Sequence, residues 1–234
     1  MIVYPQNWDY IYKRPTLDEI EQVMCNAVVE TNCANLCLSG GVDSSLALQF
    51  MSRVYSFITC YTIASSLDHP DAYYSKLIAS QYKVTHMVYI PIDKEIESSK
   101  LDGDLQGDVG VRLLFKYISK YTDKVITTDC IDELDCGYYP HQKEPSDETF
   151  RRFILDLEEK HLKPLDRNSG GVKVFLPYAT EGVINTFLRI PISEKVNKDI
   201  RKSHVMAIAS KYLPPEIIER RKYGFNNALE NIKI

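Results

Sequence analysis

The stretch best suited to chemistry is LCLSGGVDSSLAL, Leu36 to Leu48. An apolar run stops at Ser39-Gly40-Gly41, and Asp43-Ser44-Ser45 then opens an apolar helix. Glycines let a backbone turn sharply and approach an anion closely. The amides of such a turn, with the positive end of the following helix, form an anion site. Ser39, Ser44 and Ser45 add hydroxyl donors. A phosphate loop of the GxxxxGK[ST] type needs a lysine here, and this chain has none. It has Asp43 instead. A carboxylate beside a phosphate site makes sense as a ligand for magnesium, which prefers oxygen and bridges to phosphate oxygens. The plain alternative is a strand–turn–helix with an aspartate cap. The six-residue pattern, set between a buried strand and an apolar helix, is more specific than that.

The elements that must hold this loop follow from local patterns. Thr16-Leu17-Asp18-Glu19 is a capping box that opens a helix running to about Glu30. Strands are predicted at Ala34–Leu38, Ser56–Ala64, Thr85–Ile90 and Lys124–Thr128. Helices are predicted from Asp43 to Met51, from Pro70 to Tyr82, and over Val109–Tyr121, where Val111, Leu114, Phe115 and Ile118 recur at helical spacing. Alternating strands and helices imply an α/β fold, a parallel sheet with helices on both faces. Ligands of such sheets lie at the carboxyl ends of the strands, where both the Ser-Gly-Gly loop and Thr127-Thr128-Asp129 fall. Beyond Tyr138 the pattern changes. Phe150–Lys160, Glu181–Leu188, Arg201–Tyr212 and Glu216–Arg221 read as helices without strand partners. The expectation is one domain over 1–234, with a core at about 16–140 and a helical carboxyl-terminal lobe at about 145–234.

Composition narrows the classes. The chain has 234 residues, 44% of them hydrophobic, enough for a sizeable core. A net charge of −4 without a long basic tract gives no reason to expect nucleic acid as the main ligand. No apolar run reaches the ~18 residues of a membrane span, and the start lacks the features of a secretory signal. Six cysteines occur without a CxxC pair, which favours reduced buried thiols and a cytoplasmic location over a disulfide framework. The histidines are scattered without ligand spacing, and the sixteen tyrosines read mainly as packing.

Ser39-Gly40-Gly41-Val42-Asp43-Ser44 resembles the pyrophosphate loop of the N-type ATP pyrophosphatases, which have a HUP-like α/β fold. Members of that group cleave ATP between the α and β phosphates. They adenylate a substrate oxygen, and a nitrogen or sulfur nucleophile then displaces AMP. Further stretches point within the group to the synthetase domain of asparagine synthetase. VITTDCIDELDCGYY, 125–139, is similar to the LSGEGxDELFGGY stretch of that family. LKPLDRNSGGVKVFLP, 162–177, keeps the spacing of Asp166-Arg167, Gly171, Val174 and Pro177. LPPEIIERRKYGF, 213–225, is similar to the family's LPxEIxxRxKxGF. The resemblance runs from about Thr16 to Ala228. It implies ATP and Mg2+ as cofactors, with Asp43 and Asp132 as paired metal ligands. It implies Asp129 as a base or orienting group and Lys222 as the lysine that reaches the phosphates and the acyl-adenylate. Ser39, Gly40, Gly41, Asp43 and Ser44 would grip pyrophosphate, and Leu38, Ile63, Thr127 and Thr128 would contact adenine. The implied reaction joins a small carboxylate, such as aspartate, to ammonia or another amine.

The sequence also departs from the family. Asp129 stands where the family has glutamate, and Thr128, Cys130 and Cys136 replace glycines, which predicts a changed backbone path. Met1 is followed by Ile2 rather than by a nucleophilic cysteine heading a glutaminase domain. Ammonia used directly, a separate glutaminase subunit, or a different amine are the alternatives. LDGDLQGDVGVR, 101–112, fits a calcium loop until Leu113 takes the place of its glutamate. Asp104, Asp108 and Arg112 from this stretch are candidates for a changed acceptor pocket. Two other readings stand beside the ligase: the same ATP step with a different acceptor, and a non-catalytic ATP-binding subunit or regulator.

Overall fold

Thr16 opens the first helix. Its hydroxyl accepts the Glu19 amide at 3.2 Å, and the Glu19 carboxylate accepts the Thr16 amide at 2.7 Å. This capping box satisfies two of the donors that a helix start leaves without partners. The structure, a computed structural model, describes residues 13–224 and 227–232. In chain order the elements begin α1 (Leu17–Glu30), β1 (Asn35–Cys37), α2 (Val42–Ser52), β2 (Thr59–Ile63) and α3 (Pro70–Tyr82). Then come β3 (Thr85–Tyr89), α4 (Asp93–Ser98), α5 (Asp108–Ile118), β4 (Lys124–Ile126), α6 (Ile131–Leu134) and α7 (Tyr139–Lys143). The remainder is α8 (Asp147–Leu157), α9 (Lys163–Asn168), β5 (Lys173–Phe175), α10 (Glu181–Leu188), α11 (Ile192–Lys195), α12 (Ser203–Ala209) and α13 (Pro215–Ile218).

The five strands form one parallel sheet in the order β3-β2-β1-β4-β5. From β1 the chain steps outward to β2 and β3, then returns to place β4 on the other flank of β1. The crevice between β1 and β4 is therefore the topological switch point, where open α/β sheets bind ligands.

Strand residues alternate between two apolar layers. Leu36, Cys60 and Ile126, neighbours across three strands, face α1, α2, α10 and α12 through Ile20, Met24, Leu46, Phe187 and Ile208. Tyr61, Ile63 and Val125 face α5 through Leu113, Leu114, Phe115 and Ile118. Each such fully buried side chain stabilises the fold by roughly 1.5–3 kcal/mol. Helix α2 is buried nearly all round, from Ser44 and Ser45 to Met51, which fixes the loop before it rigidly to the sheet.

Three expectations need correction. The carboxyl-terminal segment does supply a strand, since β5 pairs with β4 and extends the sheet. Helices α4, α6, α7, α9 and α11 went unpredicted, each only four to six residues long and too short to show helical periodicity. The helix expected over Glu216–Arg221 stops at Ile218, so Arg220 and Lys222 leave it in an irregular segment. All six cysteines are free. No helix among the described residues is long and apolar enough to cross a membrane.

Candidate active site

The Ser39–Ser44 loop joins β1 to α2 at the switch point. Gly40 has φ +71°, and a Cβ there would lie 2.3 Å from the backbone of Tyr74 and Ser75 in α3. Only glycine meets both demands. The Ser39 hydroxyl accepts the Gly41 amide at 3.2 Å, and the Ser44 hydroxyl reaches the Gly41 carbonyl at 3.3 Å. The first intrahelical bond runs from the Ser45 amide to the Gly41 carbonyl at 3.0 Å. The amides of residues 42–44 are therefore the donors that helix geometry leaves for a ligand. Arg220 braces the loop from behind. Its guanidinium donates to the Ser39 carbonyl at 2.7 Å, pairs with Asp71 and lies over the Tyr74 ring. Its side chain is 5% exposed, so it is not the solvated helix end that its run of basic neighbours suggests.

Asp43, at the head of α2, and Asp132, at the head of α6, converge on one ammonium. Lys202 Nζ lies 2.7 and 2.6 Å from the two oxygens of Asp43 and 2.5 Å from Asp132 Oδ1. Lys222 makes a second ion pair with Asp132 and stands 4.8 Å from the centre of the Tyr138 ring. Burial raises the Asp132 carboxyl, but the two ammoniums outweigh it and hold it well below the usual carboxylate range. Burial opposes the charge of Lys202, yet Asp132 and Asp43 hold that ammonium above the usual lysine range. Lys222 is pushed below it by burial and by the charge of Lys202. Gly137 makes the cluster sterically feasible: a Cβ there would meet Asp132 Oδ1 at 2.1 Å and Lys202 Cε at 2.8 Å. Asp135 ties α12, and with it Lys202, to the same turn by accepting the Val205 amide at 2.9 Å.

Asp129 follows β4 on the same rim and bonds His161 Nε2 at 2.6 Å. His161 is carried on a π-helical turn, Glu158–Leu162, that continues α8. The hydrogen bond to Asp129 raises the imidazole to about 9. Burial pushes Asp129 up, but the bond and charge of His161 outweigh it and leave the carboxyl low. Cys130 and Cys136 sit at φ 78° and 58°. Both occupy the left-handed region that favours glycine, whereas Thr128, the third position where the family has glycine, does not.

The residues expected to meet adenine lie along one strand-end rim. The Leu38 amide bonds the Tyr61 carbonyl at 2.8 Å, and its carbonyl accepts the Thr62 hydroxyl at 2.5 Å. Ile63 is buried in the α5-facing layer. The Thr127 amide bonds the Phe175 carbonyl at 3.0 Å, and Thr128 beside it is half-buried. Asp104, Asp108 and Arg112 are brought to a different place. Arg112 binds Asp104 at 2.6 Å and Asn168 at 3.0 Å, while Arg167 binds Asp108 at 2.7 Å. They satisfy one another and pin the loop before α5 to α9. Sequence reasoning missed Lys202, Arg220 and His161. Lys202 carried no motif within KDIRKSH, and His161 could not be paired with Asp129 from spacing.

Two carboxylates sharing one cation suit a hard divalent ion. No group of three or more His, Cys, Asp or Glu side chains forms a metal cage among the described residues. A two-carboxylate set is what magnesium uses when phosphate oxygens and water complete its shell. Asp43 and Asp132 thus fit magnesium bound together with a nucleotide.

The asparagine synthase family model matches residues 20–167 and 167–233. The glutamine-hydrolysing asparagine synthetase of Rattus norvegicus is 26% identical over 222 residues, covering 84% of this chain and 40% of the relative. That of Homo sapiens is 25% identical with the same coverage. The chain thus spans about 40% of the length of the curated relatives it matches. Among solved structures, an NH3-dependent NAD synthetase from Campylobacter jejuni covers 90% of this chain and is itself 80% covered, with a TM-score of 0.48 and 16% identity. The chain belongs to the asparagine synthase family.

Proposed function

We propose that this protein is an AMP-forming ligase. It binds ATP with magnesium, transfers the adenylyl group to a small carboxylate and forms an amide with ammonia or another amine. One observation carries the reading: Asp43 and Asp132, from two strand ends, converge beside Lys222 and immediately next to the Ser-Gly-Gly loop. Aspartate is the first acceptor to try, given the family. The nitrogen donor is ammonia or another amine, and a glutaminase is one source of that ammonia.

The residues divide the work. The amides of residues 42–44 and the hydroxyls of Ser39 and Ser44 hold the β and γ phosphates as the leaving group. Asp43 and Asp132 hold magnesium, which supplies charge neutralisation across the phosphates. The substrate carboxylate attacks the α phosphorus, the bond to the bridging oxygen breaks, and pyrophosphate departs. Charge builds on that oxygen, and Lys222 is placed to offset it. Its flexible stem and irregular backbone suit a group that approaches the nucleotide rather than one fixed in the core. In the second half-reaction the amine adds to the acyl carbon and AMP leaves. Asp129, held by His161, orients the amine or takes the proton that it must lose.

Adenylation is reversible, so it can be assayed alone. Labelled pyrophosphate should exchange into ATP only when an acceptor carboxylate is present, and an amino-acid pool followed by single additions identifies the acceptor. Exchange without any carboxylate, or none although ATP is turned over, would overturn the assignment.

A further inference from the structure

The position of Lys202 is unusual for a lysine. It precedes α12 at φ 57°, a left-handed conformation that favours glycine, where serine, threonine, aspartate or asparagine is preferred as a cap. Its side chain is 7% exposed, and it reaches the carboxylates only because Gly137 has no Cβ. An ammonium has three donors, and the three contacts here all go to Asp43 and Asp132. Local preference is overridden so that a cation can stand between the two carboxylates.

We propose that Lys202 is a tethered competitor of divalent metal for Asp43 and Asp132, and that it makes metal entry conditional on the triphosphate. The inference rests on the magnesium–nucleotide reading of this site. Its basis is charge. Asp43 and Asp132 are met by two lysine side chains, Lys202 and Lys222, so each carboxylate already has a cationic counterpart in place. A divalent ion arriving alone must either expel an ammonium into a poorly solvated space or leave the cluster strongly positive. Burial penalises both. A metal–triphosphate complex arrives with net negative charge. It gives the displaced Lys202 ammonium phosphate oxygens to bond instead of carboxylates. When metal and pyrophosphate leave together, the tethered ammonium returns to Asp43 and Asp132 and restores that pairing.

The test compares Mn2+ binding, with no nucleotide, to the full chain and to Lys202→Met, which keeps the stem and loses the charge. Electron paramagnetic resonance counts free Mn2+. The variant should bind one Mn2+ at least tenfold more tightly than the natural protein, and its thermal midpoint should rise with Mn2+ while that of the natural protein does not. Equal affinities would overturn the proposal. A second measurement does not need a folded Met variant. In protein labelled with 15N-lysine, the Nζ resonance absent from Lys202→Arg should move on adding Mg2+ with α,β-methylene-ATP and stay in place with Mg2+ alone. Movement with Mg2+ alone, or no movement with both, would contradict it. Failure of α,β-methylene-ATP to bind by calorimetry would instead overturn the function proposed above, and the Mn2+ comparison would still decide the role of Lys202.

Discussion

Two clusters of charge lie on this fold, each setting two aspartates against two cationic side chains, and they are resolved in opposite ways. Beside α5, Asp104, Arg112, Asp108 and Arg167 pair with one another, and Asn168 and backbone complete the set. Every partner is fixed, and the result is a clamp between a loop and α9. At the switch point, Asp43 and Asp132 are met by two lysine side chains that project from irregular segments, Lys202 before α12 and Lys222 after α13. Those partners come from backbone outside the helices. The difference teaches that a buried ion pair alone does not mark a site. Convergence of like charges at a strand-end crevice, with counter-ions from irregular segments, does.

The contrast breaks first at Lys222. Lys222→Ala should lower the AMP-forming rate by about 10²–10³-fold, the scale of losing one well-placed donor to developing charge. The thermal midpoint should change little. A variant that keeps full activity removes Lys222 from the reaction. Gly137→Ala comes next, because its new Cβ must displace Asp132 or Lys202. Overpacking of this kind costs about 1–3 kcal/mol, and here it should also weaken Mg–nucleotide binding, read by calorimetry. Unchanged binding would mean the cluster is looser than drawn.

Arg112→Ala should behave oppositely to Lys222→Ala. It leaves Asp104 partly buried without its partner, a loss of about 2 kcal/mol after discounting for exposure, or roughly 4–8 °C in midpoint. Activity per folded molecule should persist. The smallest effect is on pH. His161 is raised to about 9 from the ordinary 6.5, so its pairing with Asp129 stabilises fully below pH 6.5 and is lost as pH rises through 9. His161 is 40% exposed, which limits this to under about 1 kcal/mol. The midpoint difference between the natural protein and His161→Gln should shrink between pH 6.5 and 9.5; a constant difference would refute the pairing.

Much of the architecture was legible in the sequence. The capping box gave the start of α1, and strand–helix alternation gave the parallel sheet. Strand β5 was hidden because its three residues, Lys173–Phe175, are too few to show alternation. Of the site, Asp43 declared itself through the glycine turn, and Asp132 and Lys222 through their flanking motifs. Lys202 and His161 did not, for a physical reason. One acts from a left-handed cap and the other from a π turn, and neither geometry has a spacing that sequence periodicity can register.

The most direct test of the central claim is nucleotide product analysis. The protein is incubated with ATP, Mg2+, ammonium and amino acids, and AMP is separated from ADP. AMP with pyrophosphate, dependent on one carboxylate, is the predicted result. ADP with phosphate would contradict cleavage between the α and β phosphates, and with it the role given to the Ser-Gly-Gly loop.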